Sequence, residues 1–295
     1  MRGARPEREI ERAIETGGVI RSGEHVLVAC SGGPDSVALA SALHAVAEPM
    51  SLDLALAYVN HNVRDSAWQD ECVVLEIAAR SELPLHVCAL EAPARDEQSL
   101  REARYAALLE IARRQNCSVI ATAHHAEDQS ETVLLALLRG AGPDGLRGMR
   151  ARRRLDEGVD LARPLIGVPS DDLRAYCHAR ALPYAVDPTN AQPALRRNAV
   201  REALAALRPL FPGLDEAVAR AAFLLSDEHD QTERAQLRRT LRQRLADETE
   251  LRDIDFGHVE AAVRALEEGR TGVFYMKPGV SLRIERDGIR GMKRS

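Results

Sequence analysis

Apolar and polar positions in the first two hundred residues alternate between two periods. Short apolar runs at His25–Cys30 (HVLVAC), Leu52–Asn60, Leu85–Leu90 and Cys117–Ala123 (CSVIATA) have the length and composition of buried strands. Helical spacing fills the intervals. It predicts helices at about 35–47, after Ser66 (with Trp68, Cys72, Leu75 and Ala79 on one face), at 98–115 and at 127–139. Strands that alternate with helices need crossover connections, so the expected fold class is α/β, a parallel sheet with helices on both faces. Ligands of such sheets sit beyond the carboxyl ends of the strands, which makes polar residues following a strand the first to examine.

After Gly140 the texture changes. A Gly-rich stretch, GAGPDGLRGM, leads into Arg150–Arg154, then RPL, a helix expected at 170–181, DPTN, and another at about 195–208. Pro209–Pro212 reads as a boundary. The expected division is a catalytic domain over 1–213 and a smaller, mainly helical module over 214–295. That module holds a long amphipathic stretch at 214–245, a helix at 255–268 and two β-like pieces, Val273–Lys277 and Val280–Glu285, turning at Pro278-Gly279. There are no internal repeats.

Composition narrows the class without choosing a function. With 295 residues, 45% hydrophobic and 29% charged, the chain is neither collagenous, low-complexity nor wholly disordered. No apolar run approaches the roughly 20 residues of a membrane-spanning helix. The charged start, MRGARPEREIERAIE, is unlike a signal peptide, so a cytoplasmic protein is expected. The five cysteines are scattered and never spaced C-x-x-C, which argues against a disulfide framework or a zinc or iron–sulfur site. The net charge of −5 conceals a split: residues 1–145 carry −9, residues 146–208 carry +5, and the remainder −1. Lopsided charge is an argument about partners.

The segment Ser31-Gly32-Gly33-Pro34-Asp35-Ser36 joins a strand to a helix. Two glycines allow close backbone approach, and the N–H groups at the helix start suit an anion. It lacks the G-K-[ST] ending of a Walker A loop. A plain strand-to-helix turn, with Asp35 as a helix-start acid, is the alternative. Asp128 and Glu131 lie three apart at a helix start and share a face, where they could hold an ammonium or simply complement the helix dipole. Arg197 and Arg201, four apart, could grip a phosphate or carboxylate, or form a solvated basic face.

SGGPDS resembles the pyrophosphate-binding loop of the N-type ATP pyrophosphatases, the PP-loop superfamily. VNHNVRDSAWQDE (59–71), LREARYAALLEIA (100–112), TAHHAEDQSETVLLALLRGAGPDGLRGM (122–149), RPL (163–165) and DPTN…RRNAVR (187–201) extend the likeness. In this order, over most of residues 20–215, they resemble the bacterial tRNA(Ile)-lysidine synthetases. The resemblance implies an adenine nucleotide alpha hydrolase-like fold. It also implies ATP-dependent ligation of L-lysine to C2 of the wobble cytidine in a CAU-anticodon tRNA(Ile), through an adenylated cytidine. AMP and pyrophosphate leave, and codon reading changes from AUG to AUA.

The matched blocks and the chemistry of the residue types together suggest roles. Ser31, Gly32, Gly33, Pro34, Asp35, Ser36, His61 and Asn62 would bind ATP, with Asp35 as the metal position for Mg²⁺. Asp35, Arg104, His124 and Asp128 would be catalytic. Asp128, Glu131, Arg197 and Arg201 would bind lysine, and Arg150, Arg152, Arg153 and Arg154 the tRNA. Plainer roles stay open: His61 and Asn62 as turn caps, Arg104 in a surface ion pair, His125 as a buried structural histidine, and Arg150–Arg154 as a solvated loop. Glu127 stands where the family more often has Asp. The segment after Pro212 is shorter and less similar than in longer members. The expected partners are the tRNA and lysine, with no membrane; the oligomeric state is open, a homodimer being one option. Cytidine 2-thiolation is the nearest alternative reaction, but it calls for C-x-x-C cysteines. GMP-synthetase-like amidation would leave the later blocks unexplained, while Asp35, His124, Asp128 and Glu131, all present, and an aromatic content of only 3% argue against a non-catalytic nucleotide- or RNA-binding module.

Overall fold

The structure, a computed structural model, describes residues 6–60, 67–90, 97–185, 195–227, 233–248, 256–277, 280–285 and 288–294. The chain divides into two compact units, Met1–Ala222 and Phe223–Ser295.

The first unit is built on a six-stranded sheet. Its strands are β1 (His25–Ala29), β2 (Asp53–Asn60), β3 (Leu85–Ala89), β4 (Val119–Ala121), β5 (Arg152–Asp156) and β6 (Val159–Ala162), in the order β3-β2-β1-β4-β6-β5. All neighbours pair in parallel except the edge hairpin β5–β6. The period-2 alternation decides which side chains meet which helices. Val26, Val28, Leu54, Leu56, Tyr58, Val119 and Ala121 join one buried cluster, while Leu27, Ala55, Ala57, Val59 and Ile120 join the other. Against the first face pack α1 (Pro6–Gly17), α2 (Pro34–Met50), α3 (Ala67–Ser81) and α7 (Ser170–Ala179); against the second packs α4 (Glu97–Arg114). Helices on both faces bury the strands twice, and that explains their near-continuous apolar runs.

Two elements depart from the sequence reading. The acid- and arginine-rich start forms α1, anchored by Ile10 and Ile14, one turn apart and both buried. The run Arg152–Arg154 is strand β5 instead of a loop, because an antiparallel edge strand tolerates charge on its open side. The remaining helices are α5 (Ala126–Leu138), the short α6 (Pro143–Leu146), α8 (Leu195–Leu207) and α9 (Leu214–Asp227). The division between the units falls inside α9.

The second unit carries α10 (Glu233–Glu248), α11 (Phe256–Glu267) and an antiparallel sheet, β7 (Gly272–Lys277), β8 (Val280–Glu285) and β9 (Gly288–Arg294), in the order β7-β8-β9. Leu241, Leu245, Val263, Met276, Leu282 and Ile284 form its own core. The amphipathic stretch read as one run at 214–245 is two helices, α9 and α10, with residues 228–232 outside the described set. No helix among the described residues is long and apolar enough to cross a membrane.

Candidate active site

Strand order reverses direction between β1 and β4: the chain leaves β1 toward β2 and β3, then returns to pair β4 on the other side. In open parallel sheets the loops on either side of such a reversal splay apart, and ligands sit there beyond the carboxyl ends of the strands. After β1 the chain passes through Ser31–Gly33 into the first turn of α2 at Pro34–Ser36, and after β4 through Thr122–His125 into α5, so the fold brings together the two segments the sequence singles out.

The first loop is shaped by its glycines and serines. Gly32 has φ +86°, and a Cβ there would stand 2.8 Å from the backbone oxygen of Asp70 on α3. Ser36 Oγ accepts from Ser31 N at 3.1 Å and donates to Gly33 O at 2.9 Å, folding the loop over the first turn of α2. Pro34 sits in that first turn and lacks an N–H that would need a partner.

The second loop sets two adjacent histidines in opposite charge states. His125 Nδ1 lies 2.9 Å from Glu127 Oε2, and its Nε2 lies 3.6 Å from Asp35 Oδ2 and 3.5 Å from Asp128 Oδ2. Burial works against its charge, but the Glu127 hydrogen bond and the Asp128 and Asp35 carboxylates prevail, pushing its pKa up to about 9. His124, with Nδ1 2.9 Å from Thr122 Oγ1, is pushed down to about 2 by burial and by Arg163, Arg104 and Arg101. His125 is therefore an imidazolium at neutral pH and His124 a neutral imidazole.

Glu127, whose role the sequence leaves in doubt, ties the start of α5 to the start of α7. Besides His125, it accepts from Ser170 N and Ser170 Oγ at the head of α7, the latter at 2.8 Å. Its burial would raise its pKa, yet the hydrogen bonds from His125 and Ser170 lower it to about 2. Asp128 accepts from the backbone N of His125 as part of a capping box, so it serves the helix start and faces the site at once. Burial pushes Asp35 up, with His125 opposing. Asp35 Oδ1 is buried without a hydrogen-bond partner among the described residues. That hard oxygen, with Asp128 nearby, suits Mg²⁺, which takes one or two carboxylates and completes its shell with phosphate oxygens.

The other assigned residues divide. Glu131 is buried and bound to Arg201 and Arg197 of α8, so three of the four lysine positions meet in one cluster. Arg104 stands over the Tyr105 ring near His124, with no ion pair to a carboxylate among the described residues. Arg152 is held inside the fold by Glu24 and Asp160, whereas Arg154 is exposed, and Arg150 supplies a carbonyl to Arg163. His61 and Asn62 lie outside the described residues, as does DPTN at 187–190. The sequence reading did not anticipate Ser170 or Gln129. Gln129 is buried and brackets the Gly-rich stretch through Met149 N and Met149 O at 2.8 and 3.1 Å. Both act across long separations that no local pattern reveals.

A family model described as the PP-loop domain matches residues 4–207. The chain belongs to the PP-loop family. Within that family, the tRNA(Ile)-lysidine synthase of Salinispora arenicola is 42% identical over 225 residues, covering 74% of this chain and 66% of that protein. The enzyme of the same name from Salinispora tropica is 44% identical, covering 68% of this chain and 62% of its own length. That of Geobacter sulfurreducens is 39% identical, covering 72% and 46%. The chain thus spans about half to two thirds of these relatives. Among solved structures, the U34-tRNA thiolase NcsA from Methanococcus maripaludis superposes with a TM-score of 0.64 at 18% identity, covering 77% of this chain and 80% of that one. At that identity the likeness is one of fold alone.

Proposed function

We propose that this PP-loop chain is a tRNA(Ile)-lysidine synthetase, ligating lysine to C2 of the wobble cytidine of a CAU-anticodon tRNA(Ile) at the expense of ATP. One observation carries the reading. The Ser31–Ser36 segment and the Asp35–His125–Asp128 cluster meet at the switch point of a sheet whose matched relatives bear that name.

Cytosine C2 carries a carbonyl oxygen, a poor leaving group. Attack of that oxygen on the α-phosphorus of ATP makes the C2–O bond labile and releases pyrophosphate. The lysine ε-amine then attacks C2, AMP departs with the oxygen, and the amine gives up a proton. In the first step the loop and Asp35 position the phosphates, and Arg104 meets the charge developing on the transferred group. Asp35 would hold Mg²⁺, which when bound offsets phosphate charge. In the second step Asp128 receives the ammonium, which has an ordinary pKa of about 10.4 and so arrives charged. Arg197 and Arg201, pinned by Glu131, grip the lysine carboxylate. His125, an imidazolium, cannot accept the amine proton, and His124, its basicity suppressed by burial and the neighbouring arginines, is a poor acceptor, so the proton leaves to solvent. Exposed Arg154 and half-buried Arg153 of β5 contact the tRNA backbone.

Purified chain incubated with ATP, L-lysine and unmodified CAU-anticodon tRNA should release AMP and pyrophosphate and add the mass of lysine to one cytidine. Brisk ATP hydrolysis without lysine incorporation would refute the proposal.

A further inference from the structure

Four charged side chains are buried among the described residues: Glu131, Arg163, Asp215 and Arg238. Three are ion-paired, Glu131 to Arg201, Asp215 to Arg208 and Arg238 to Glu260. Arg163, 2% exposed, has no carboxylate partner among the described residues. Its Nη1 donates to Arg150 O at 2.7 Å, but its Nε is buried without a hydrogen-bond partner. A buried guanidinium without counter-charge is costly, and proteins ordinarily neutralise one.

The surroundings make the imbalance greater. Arg163 follows β6 at the sheet's carboxyl edge and neighbours Tyr105, Arg153 and Arg101. Arg101 and Arg104, from the first turns of α4, both stand over the Tyr105 ring, at 5.6 and 5.5 Å from its centroid. The Tyr105 hydroxyl is buried and has no hydrogen-bond partner of good geometry, although Arg163 lies beside it. Neither Arg101 nor Arg104 is ion-paired to a carboxylate among the described residues. Three guanidinium groups and a phenol thus present donors around one spot beside His124, and burial together with repulsion from Arg153 and Arg101 disfavours the Arg163 charge there.

We propose that Arg163 and Arg101, arranged around Tyr105 and adjoining Arg104 of the reaction proposed above, form a second phosphate-binding site beyond the Ser31–Ser36 loop. Rigid forks are suited to phosphate oxygens, and a phosphate would satisfy Arg163 Nε and the Tyr105 hydroxyl together. Resting on the proposed reaction, the phosphate has two sources: the RNA backbone next to the reacting cytidine, or the ATP chain itself. Arg153 continues the positive charge toward the β5 edge.

The test uses the full chain with two probes, ATP by calorimetry and a CAU-anticodon stem–loop RNA by fluorescence anisotropy, each without the other and without lysine. Arg101→Gln alters a half-buried side chain and decides the question if Arg163→Gln does not fold. A loss of about tenfold in affinity for one probe, at an unchanged melting temperature, is expected, and the probe affected identifies the source. Arg163→Lys, which keeps the charge but not the fork, should recover only part of that loss. Affinities for both probes within twofold of wild type in Arg101→Gln would overturn the site. Neither measurement reads lysine transfer, so failure of the proposed ligation would appear separately.

Discussion

Arg201 Nε donates to Glu131 Oε1 at 2.6 Å, joining α8 to α5 across 70 residues of chain, and Arg197 Nε stands 3.5 Å from Glu131 Oε2. The groups that the sequence assigns to opposite ends of a lysine molecule are therefore paired with each other. Glu131 has a side chain only 7% exposed and holds the arginines in place, which leaves Asp128, 30% exposed, as the more open carboxylate for the proposed ammonium.

Glu131→Gln should accordingly behave as a structural lesion that reaches the substrate indirectly. Breaking a buried pair costs about 3–5 kcal/mol, and the partial exposure of both arginines reduces the expectation to about 2 kcal/mol. The melting temperature should fall, and the lysine KM should rise with the ATP KM little changed. Asp128→Asn should raise the lysine KM at least as much while costing about 1 kcal/mol or less, the scale of a cap. A Glu131→Gln variant with wild-type melting and a raised lysine KM would mean that Glu131 touches the ammonium itself.

His125 gives the apo protein a distinctive alkaline profile. Its folded-state pKa of about 9 exceeds the ordinary histidine value near 6.5, owing to Glu127, Asp128 and Asp35 acting against burial. A raised pKa contributes stability that is complete below about pH 6.5 and is lost as pH rises through 9. The difference in unfolding free energy between wild type and His125→Gln should shrink across that window by an amount on the order of 2–3 kcal/mol. Glu127 acts at the other end. Its pKa, lowered to about 2, adds stability above pH 4.5 that disappears as pH falls through 2. Parallel stability curves for wild type and His125→Gln between pH 6.5 and 9.5 would show that the imidazolium is not held as described.

The legible parts of this protein are those written in local spacing. Val26, Leu27 and Val28 announce β1 because a doubly covered strand must be apolar on both sides, and SGGPDS follows it as a strand-to-helix turn in which Gly32 takes a positive φ. What spacing conceals is pairing at a distance. Asp128 and Glu131 do share a helix, yet Glu131 turns to α8 and Asp128 to His125, because the partners waiting in the fold decide which carboxylate stays open. Glu127 could not be tied to Ser170, 43 residues away, by any periodicity. Strand β5 is hidden by its arginines, which obscure the alternation of an edge strand.

Gly32 and Gly33 are adjacent and chemically identical, but they should respond differently to alanine. At Gly32, φ of +86° strains any side chain, and the added Cβ would press on the Asp70 backbone at 2.8 Å, where no rotamer change can relieve it. Gly33 has φ −73°, and its nearest contact would be Ser31 Oγ at 3.8 Å. Gly32→Ala should lose at least about 1–2 kcal/mol and most of its ATP affinity, because α3 and the loop must separate. Gly33→Ala should unfold within about 0.5 kcal/mol of wild type, the scale of a neutral surface change. Thermal unfolding of the two variants side by side checks the loop geometry without reference to catalysis.

The three arginines of β5 should likewise separate by task. Arg152 is 16% exposed, donates to Glu24, Asp160 and the carbonyl of Val19, and has its charge supported by both carboxylates. Arg154 reaches Asp160 at 3.0 Å, but at 65% exposure such a pair adds little, and the side chain can swing to a phosphate. Arg153 is on the opposite side of the strand and donates to the neighbouring carbonyl of Arg154. Removing one phosphate contact lowers the slope of log affinity against log salt by roughly 0.7–0.9. Arg153→Gln and Arg154→Gln should each reduce the tRNA slope by about that amount with melting unchanged. Arg152→Gln should keep the slope and lose about 1–3 kcal/mol of stability, because two carboxylates are left without their partner. If all three variants lowered the slope equally, Arg152 would have to leave its ion pairs to meet RNA, and the hairpin edge would be a surface that rearranges on binding.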